Sequence, residues 1–215
     1  MNARTPLLDT PPAPLKKSFR AQMHEAREEA IVAAVHRLLA DKGFDAMTVD
    51  EVAAEAGMAK ASLYRHFSSK EELAGAAMVR VMSRAHDFLR TVSPNLPAVQ
   101  RLRAVVDWLL RAQLAGEMPS LPSENSSLRS ALMVNGAYMG LLVEISEHLG
   151  GWIEEAQAAG DIQADLPPIA VLYTVYARAC DPVVDFLRGT GQFSDDEIVR
   201  LVMATCFDGL SARRA

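Results

Sequence analysis

Cysteine is nearly missing from this chain: Cys180 and Cys206 are the only two in 215 residues, far apart and in no CxxC pair. That excludes a disulfide framework and a cysteine-rich metal module, and predicts free, core-type thiols in a reducing compartment. Long apolar runs are missing too. The longest, Ala131 to Val143, is interrupted by Asn135 and followed by Glu144, too short and too polar to span a bilayer. No basic start, apolar stretch and small-residue cleavage site marks a secretion signal, so no membrane partner and a cytoplasmic location are expected. No segment alternates apolar and polar residues as a half-buried strand does. Enzyme signatures are equally scarce. There is no Walker A loop, GxGxxG, GxSxG or HExxH, Glu154 and Glu155 are adjacent rather than on one helical face, and the five histidines show no metal-ligand spacing. Neither catalysis, nor a metal, nor a cofactor is expected.

Net positive charge is the remaining absence, since the formal charge is −5. Its distribution matters more than its sum. The first 80 residues hold 11 basic and 11 acidic groups, so the whole excess of acid falls beyond them. Between Gly57 and Lys70 stand Lys60, Arg65, Lys70 and His66, with no acid at all. Charge is felt within roughly 8–10 Å at physiological salt, so a local cationic face can meet nucleic acid while the rest of the chain is acidic.

Half of the residues are hydrophobic, an ordinary globular balance. Residues 1–23 carry Pro6, Pro11, Pro12 and Pro14 without apolar periodicity, and read as a flexible arm of charge +3. It is either a plain tail or an additional phosphate-contacting arm. From His24 onward the pattern is helical throughout. A first helix runs to about Asp41, with Ile31, Val35, Leu38 and Leu39 on one face and Gly43 as its stop. Thr48 with Glu51, Ser69 with Glu72, and Ser194 with Glu197 form capping boxes that open later helices. Further helices are expected near 98–115, 127–159, 167–188 and 194–212, with Pro119 and Pro122 in a loop and Gly160 ending a helix. The fold class is therefore all-α, about nine helices. Residues 24–70 are expected to form an N-terminal three-helix unit, and residues 71–215 a larger C-terminal helical unit.

Residues 48–67 read TVDEVAAEAGMAKASLYRHF. Two short helices joined at a glycine, with alanines where they cross, are what a helix-turn-helix requires. The second can enter a major groove, and its exposed side chains would be Lys60, Ser62, Arg65 and His66: donors, with no carboxylate to repel phosphate.

Gly43-Phe44, Thr48-Val49-Asp50-Glu51-Val52-Ala53, Gly57 to Phe67, and Ser69-Lys70-Glu71-Glu72-Leu73 together resemble the TetR family of regulators. The resemblance covers about residues 27–75; beyond it, helix number and the turn Gly160-Asp161-Ile162 with Asp165-Leu166-Pro167 are the only likenesses. It implies that Thr48 contacts phosphate from the start of its helix. Lys60, Ala61 and Ser62 would face the groove, with Arg65 an additional contact. Tyr64 and His66 would hydrogen-bond the DNA backbone, and Lys70 would hold a phosphate. Phe67 reads as core. Ala59 departs from the Ser or Thr usual in the family, losing a cap worth roughly 1 kcal/mol.

The resemblance also implies a homodimer through helices 167–188 and 194–212, binding a palindromic operator in double-stranded DNA. Their apolar surface (Ile169, Leu172, Val175, Tyr176, Ala179, Val183, Phe186 and Leu187; Ile198, Leu201, Val202, Thr205 and Leu210) is wide enough to need partners on more than one side. Pro182 should kink or end the first of them. A pocket for a partly apolar small-molecule effector is expected from Trp108, Met133, Asn135, Tyr138, Met139, Glu144 and His148. Gly136 and Gly140 leave a bare strip, either for close helix packing or for ligand. Glu144 and His148, spaced i, i+4, could instead pair on a solvated face. The reading is a ligand-responsive repressor; a DNA-binding factor that senses nothing is the alternative.

Overall fold

The computed structural model describes residues 18–119 and 126–209, and among them every regular element is helical. The proline-rich residues 1–17, Pro122 and Leu210 lie outside the described residues.

α1 spans Phe19–Ala46, beginning before the expected His24 and taking in the end of the expected arm. It breaks at Gly43, whose φ of 74° suits a residue without Cβ, and one further turn carries Phe44 and Met47 into the core. α2 (Val49–Glu55), α3 (Lys60–Leu63) and α4 (Lys70–Thr91) follow. The capping boxes at Thr48 and Ser194 are complete. That at Ser69 is half-formed. The Ser69 hydroxyl accepts from Glu72 N at 3.0 Å, but the Glu72 carboxylate accepts from Ser68 N and Oγ, both at 2.6 Å.

Two expected helices are subdivided. The segment 127–159 is α6 (Ser127–Met133) and α7 (Gly136–Ala158), which begins afresh with Asn135 as its N-cap. The segment 167–188 is α8 (Pro168–Ala177), a 3₁₀ turn at Arg178–Cys180, and α9 (Pro182–Gly189). Pro182 occupies the first turn of α9, where a missing N–H costs no bond, and Asp181 caps it from its side chain. α5 (Ala98–Leu114) and α10 (Asp195–Phe207) complete the set.

Two apolar cores result. The N-terminal one gathers Ile31, Val35 and Leu39 of α1, Val52 of α2, Leu63 of α3 and Leu73, Ala74, Ala77 and Met78 of α4. Leu128 and Leu132 of α6 close it, an arrangement that no sequence pattern marks. The second core lies among α5, α7, α8, α9 and α10, with Leu89 from the far end of α4. α4 thus belongs to both. Each fully buried Leu or Ile here contributes roughly 1.5–3 kcal/mol. Among the described residues no helix is long and apolar enough to cross a membrane.

Candidate nucleic-acid interface

The turn between α2 and α3 is built on Gly57, whose φ of +65° is strained for any residue with a Cβ. Its N–H donates to Ala54 O at 3.1 Å, and Met58 N donates to Ala53 O at 3.0 Å, closing the first helix while the chain reverses. α3 is four residues long, and helical-type bonds continue it: Tyr64 N to Lys60 O at 3.2 Å and Phe67 N to Leu63 O at 3.0 Å. Leu63 is fully buried and anchors this segment to the core. Around it, Lys60, Ala61, Tyr64 and Arg65 are exposed and Ser62 is half-buried. The uncapped start expected from Ala59 is present, since no side chain caps α3.

The face is held by local ion pairs. Glu51 reaches Lys42 at 2.7 Å, and its carboxyl is pulled down to about 2, chiefly by that ammonium and then by the Thr48 N–H and hydroxyl. Arg37 pairs with Glu55 at 2.8 Å, and Arg65 donates to Ser62 Oγ at 2.7 Å. Lys60 Nζ lies 2.9 Å from Asp50, whose hydrogen bond raises the lysine's pKa. That carboxylate competes with any phosphate or base for Lys60. Asp50→Asn is expected to tighten operator binding about two- to fivefold, matching the up to 1 kcal/mol of an exposed pair. Fluorescence anisotropy on an operator selected from random DNA would measure it; unchanged or weaker binding would count against Lys60 as a contact.

Thr48 is exposed but doubly engaged with Glu51 as a cap. Lys70, half-buried at the start of α4, sits 4.3 Å above the Phe44 ring and 3.4 Å from Asp45 O. His66 points inward, not outward. Its side chain is 8% exposed, its Nδ1 is 3.4 Å from Glu28 Oε1, and its ring stacks obliquely on His24. A phosphate contact from this ring would require it to leave that site. The same geometry brings His66 against His24 and Glu28, which are four residues apart on α1, a grouping that spacing along the sequence does not show.

The residues expected to hold an effector are dispersed. An apolar cavity of about 90 Å³ lies in the C-terminal half, walled by Met82, Ala85 and Phe88 of α4, Trp108 of α5, Ile145 and Leu149 of α7, and Tyr176. Trp108 stacks on Phe88 with centroids 5.0 Å apart, and the Tyr176 hydroxyl is 2.8 Å from Ser146 Oγ. Of the seven expected residues only Trp108 lines it. Met133 is exposed at the end of α6, Asn135 accepts from Tyr138 N at 3.0 Å as a cap, and Met139 is half-buried elsewhere. Tyr138 packs on the N-terminal core, and burial raises its pKa. Glu144 pairs with His86 at 3.2 Å, while His148 Nδ1 meets the Glu144 carbonyl at 3.1 Å, so Glu144 and His148 do not join through the carboxylate. Gly136 and Gly140 are exposed, and a Cβ on either would meet nothing, which removes close helix packing as their reason within one chain. Phe88, Met82 and Tyr176 escape sequence reasoning because their spacing is that of any core helix.

Comparison with known proteins agrees with this architecture. Residues 31–77 match the profile of the bacterial regulatory proteins of the tetR family. The uncharacterized HTH-type transcriptional regulator YdeS of Bacillus subtilis is 26% identical over 200 residues, 89% of this chain and 93% of that protein. The HTH-type transcriptional activator FasR of Mycolicibacterium smegmatis is 38% identical over 96 residues, which span 43% of this chain and 42% of FasR. Among solved structures, the fatty acid degradation regulator FadR of Bacillus halodurans superposes with a TM-score of 0.66 at 18% identity, over 87% of this chain and 97% of that one. Bacillus subtilis FadR in complex with stearoyl-CoA gives 0.62 at 18%, over 85% and 99%. AibR in complex with isovaleryl coenzyme A and operator DNA gives 0.56 at 18%, over 84% and 98%. These likenesses establish a shared fold, and the matched segment contains the whole α2–turn–α3 unit. Residues 31–77 thus carry the N-terminal helix-turn-helix segment of the bacterial regulatory proteins of the tetR family.

Proposed function

We propose that this regulator represses transcription in the cytoplasm by binding a palindromic operator as a homodimer, and that a small molecule with an apolar chain releases it. The observation that carries the reading is α4: one uninterrupted helix begins just past the reading helix and lines the apolar cavity with Met82, Ala85 and Phe88. Two reading helices must stand roughly 34 Å apart to enter successive major grooves. An effector that prefers another spacing depletes the DNA-competent population. Lys60, Ala61 and Ser62 are the groove-facing set, with Arg65 an additional contact, Tyr64 on the DNA backbone, and Thr48 and Lys70 flanking them.

Exposed apolar side chains on α8 and α9, namely Ile169, Tyr173, Val183 and Phe186, support the homodimer through this end of the chain. The stearoyl-CoA and isovaleryl coenzyme A bound to two of the similar proteins make acyl-coenzyme A thioesters the first class to test. At about 90 Å³ the cavity is small beside the roughly 300–1,000 Å³ of ordinary ligand pockets, so a long acyl chain needs the helices to part. That requirement is what couples occupancy to α4. The same small cavity favours, as a second reading, a factor that binds DNA without an effector.

Titrating the operator complex with isovaleryl-CoA and stearoyl-CoA distinguishes the two. Operator affinity should fall about 5- to 150-fold at saturation, with a change in Trp108 emission and no effect of free coenzyme A. Unaltered DNA affinity, with the Trp108 signal saturated or flat, would reject release by this class.

A further inference from the structure

His24 and Glu28 are four residues apart on α1, so both side chains leave the same helical face. His66, just past the reading helix, completes a triad with them. Glu28 Oε1 is 3.4 Å from His24 Nδ1 and 3.4 Å from His66 Nδ1, and the two rings lie 4.4 Å apart at 45°. A tetrahedral zinc with ligands at about 2.0–2.1 Å has ligand–ligand edges of about 3.3–3.4 Å. Two of the three protein edges are therefore already at coordination distance. All three ligand atoms lie within 4.8 Å of one another, so small rotations close the third.

The donor set decides the class of ion. Two imidazoles and one carboxylate suit zinc, cobalt, nickel or copper, whereas calcium and magnesium demand oxygen ligands. Arg27 and Arg65 line the same solvent-open groove. Their charge opposes diffuse accumulation of cations, so an ion must be held by direct bonds. The groove leaves a fourth position open to water.

We propose that His24, Glu28 and His66 bind a divalent transition metal that fastens α1 to the end of the reading helix. The ion replaces the proton-mediated links of the triad with three bonds spanning 38 residues between Glu28 and His66. Its effect is to stiffen the DNA-binding domain where α1 meets the end of the reading helix. The proposal is independent of any effector in the C-terminal half.

The test uses the full chain, freed of any histidine tag and stripped with EDTA. CoCl₂ titration should give visible absorption of four-coordinate cobalt saturating at one equivalent per chain. ZnCl₂ should bleach it and raise the melting temperature. His24→Ala removes a largely exposed ligand, leaves the core untouched, and should weaken binding at least tenfold. Glu28→Gln should do likewise. His148→Ala, beside the separate His86–Glu144 pair, should change nothing. Absence of cobalt absorption at tenfold excess, or undiminished binding by the His24→Ala chain, would overturn the proposal. Loss on His148→Ala instead would place the ion elsewhere and overturn it equally.

Discussion

Tyr64→Ala and Lys60→Ala should each lower operator affinity about 10- to 100-fold while melting curves and oligomeric state stay those of the parent chain. Both side chains are exposed on a helix whose attachment to the protein is Leu63, so truncation removes little folding energy; surface changes of this kind usually stay within about ±0.5 kcal/mol. Deleting a side chain that hydrogen-bonds a base or a charged phosphate costs about 1–3 kcal/mol of DNA affinity, and each 1.4 kcal/mol is a factor of about ten. The two variants should differ in kind. If Lys60 neutralises a phosphate, its loss weakens binding evenly across sequences and reduces the salt slope by about one; if it reads a base edge, specificity relaxes at one position. Tyr64 offers a hydroxyl rather than a cation, so its removal should leave the salt slope alone. Anisotropy across a salt series measures both. Retained affinity in both variants would mean the α3 face is not the one that meets DNA.

A loss of about 3–5 kcal/mol of stability is expected for Asp181→Ala. Asp181 is 2% exposed, ion-pairs with Arg178, and accepts from Val183 N at 3.0 Å to cap α9. Its backbone is also clasped at both ends by Gln113: Asp181 N donates to Oε1 at 3.1 Å, and Nε2 donates to Asp181 O at 3.0 Å. Removing Asp181 leaves the charge of Arg178, whose side chain is 22% exposed, without its partner and largely desolvated, the expensive way to break such a pair. For a chain of this length each kcal/mol shifts the melting temperature about 2–4 °C, so a drop of about 6–20 °C should appear in calorimetry. Asp181→Asn keeps the cap and loses the charge, and should fall between. A change below about 1 kcal/mol in the alanine variant would show that Arg178 finds water or another partner instead.

The reading head is legible in the sequence because its determinants are local. Gly57's turn, the Thr48–Glu51 box and the alanines of α2 act over a few residues, and each sits where the sequence indicates. The boundaries that differ depend on distant partners. Nothing near Val134 marks the break between α6 and α7; Leu128 and Leu132 turn away to cover the N-terminal core, and Asn135 then serves as a cap rather than a pocket group. That break re-aims every side chain ahead of it: Met133 ends up exposed, while Ile145 lies in the second core. His66 reads as surface because a histidine after a reading helix has no sequence signal for His24 and Glu28, nearly forty residues earlier. Arg178 and Asp181 stand out only as polar residues near Pro182, and their pairing depends on the chain ending one helix and capping the next, a geometry no periodicity encodes.

α4 has 22 residues, and at about 1.5 Å per residue it is a rod about 33 Å long. Its Lys70 end abuts the DNA-reading unit and its Leu89 end is embedded beside the cavity. A tilt of about 5° about one end of a rod this long sweeps the other through about 3 Å. Two symmetry-related rods would double that error against a groove spacing fixed by the DNA duplex. On the proposed reading, a displacement too small to notice at the cavity would be a gross misfit at the operator.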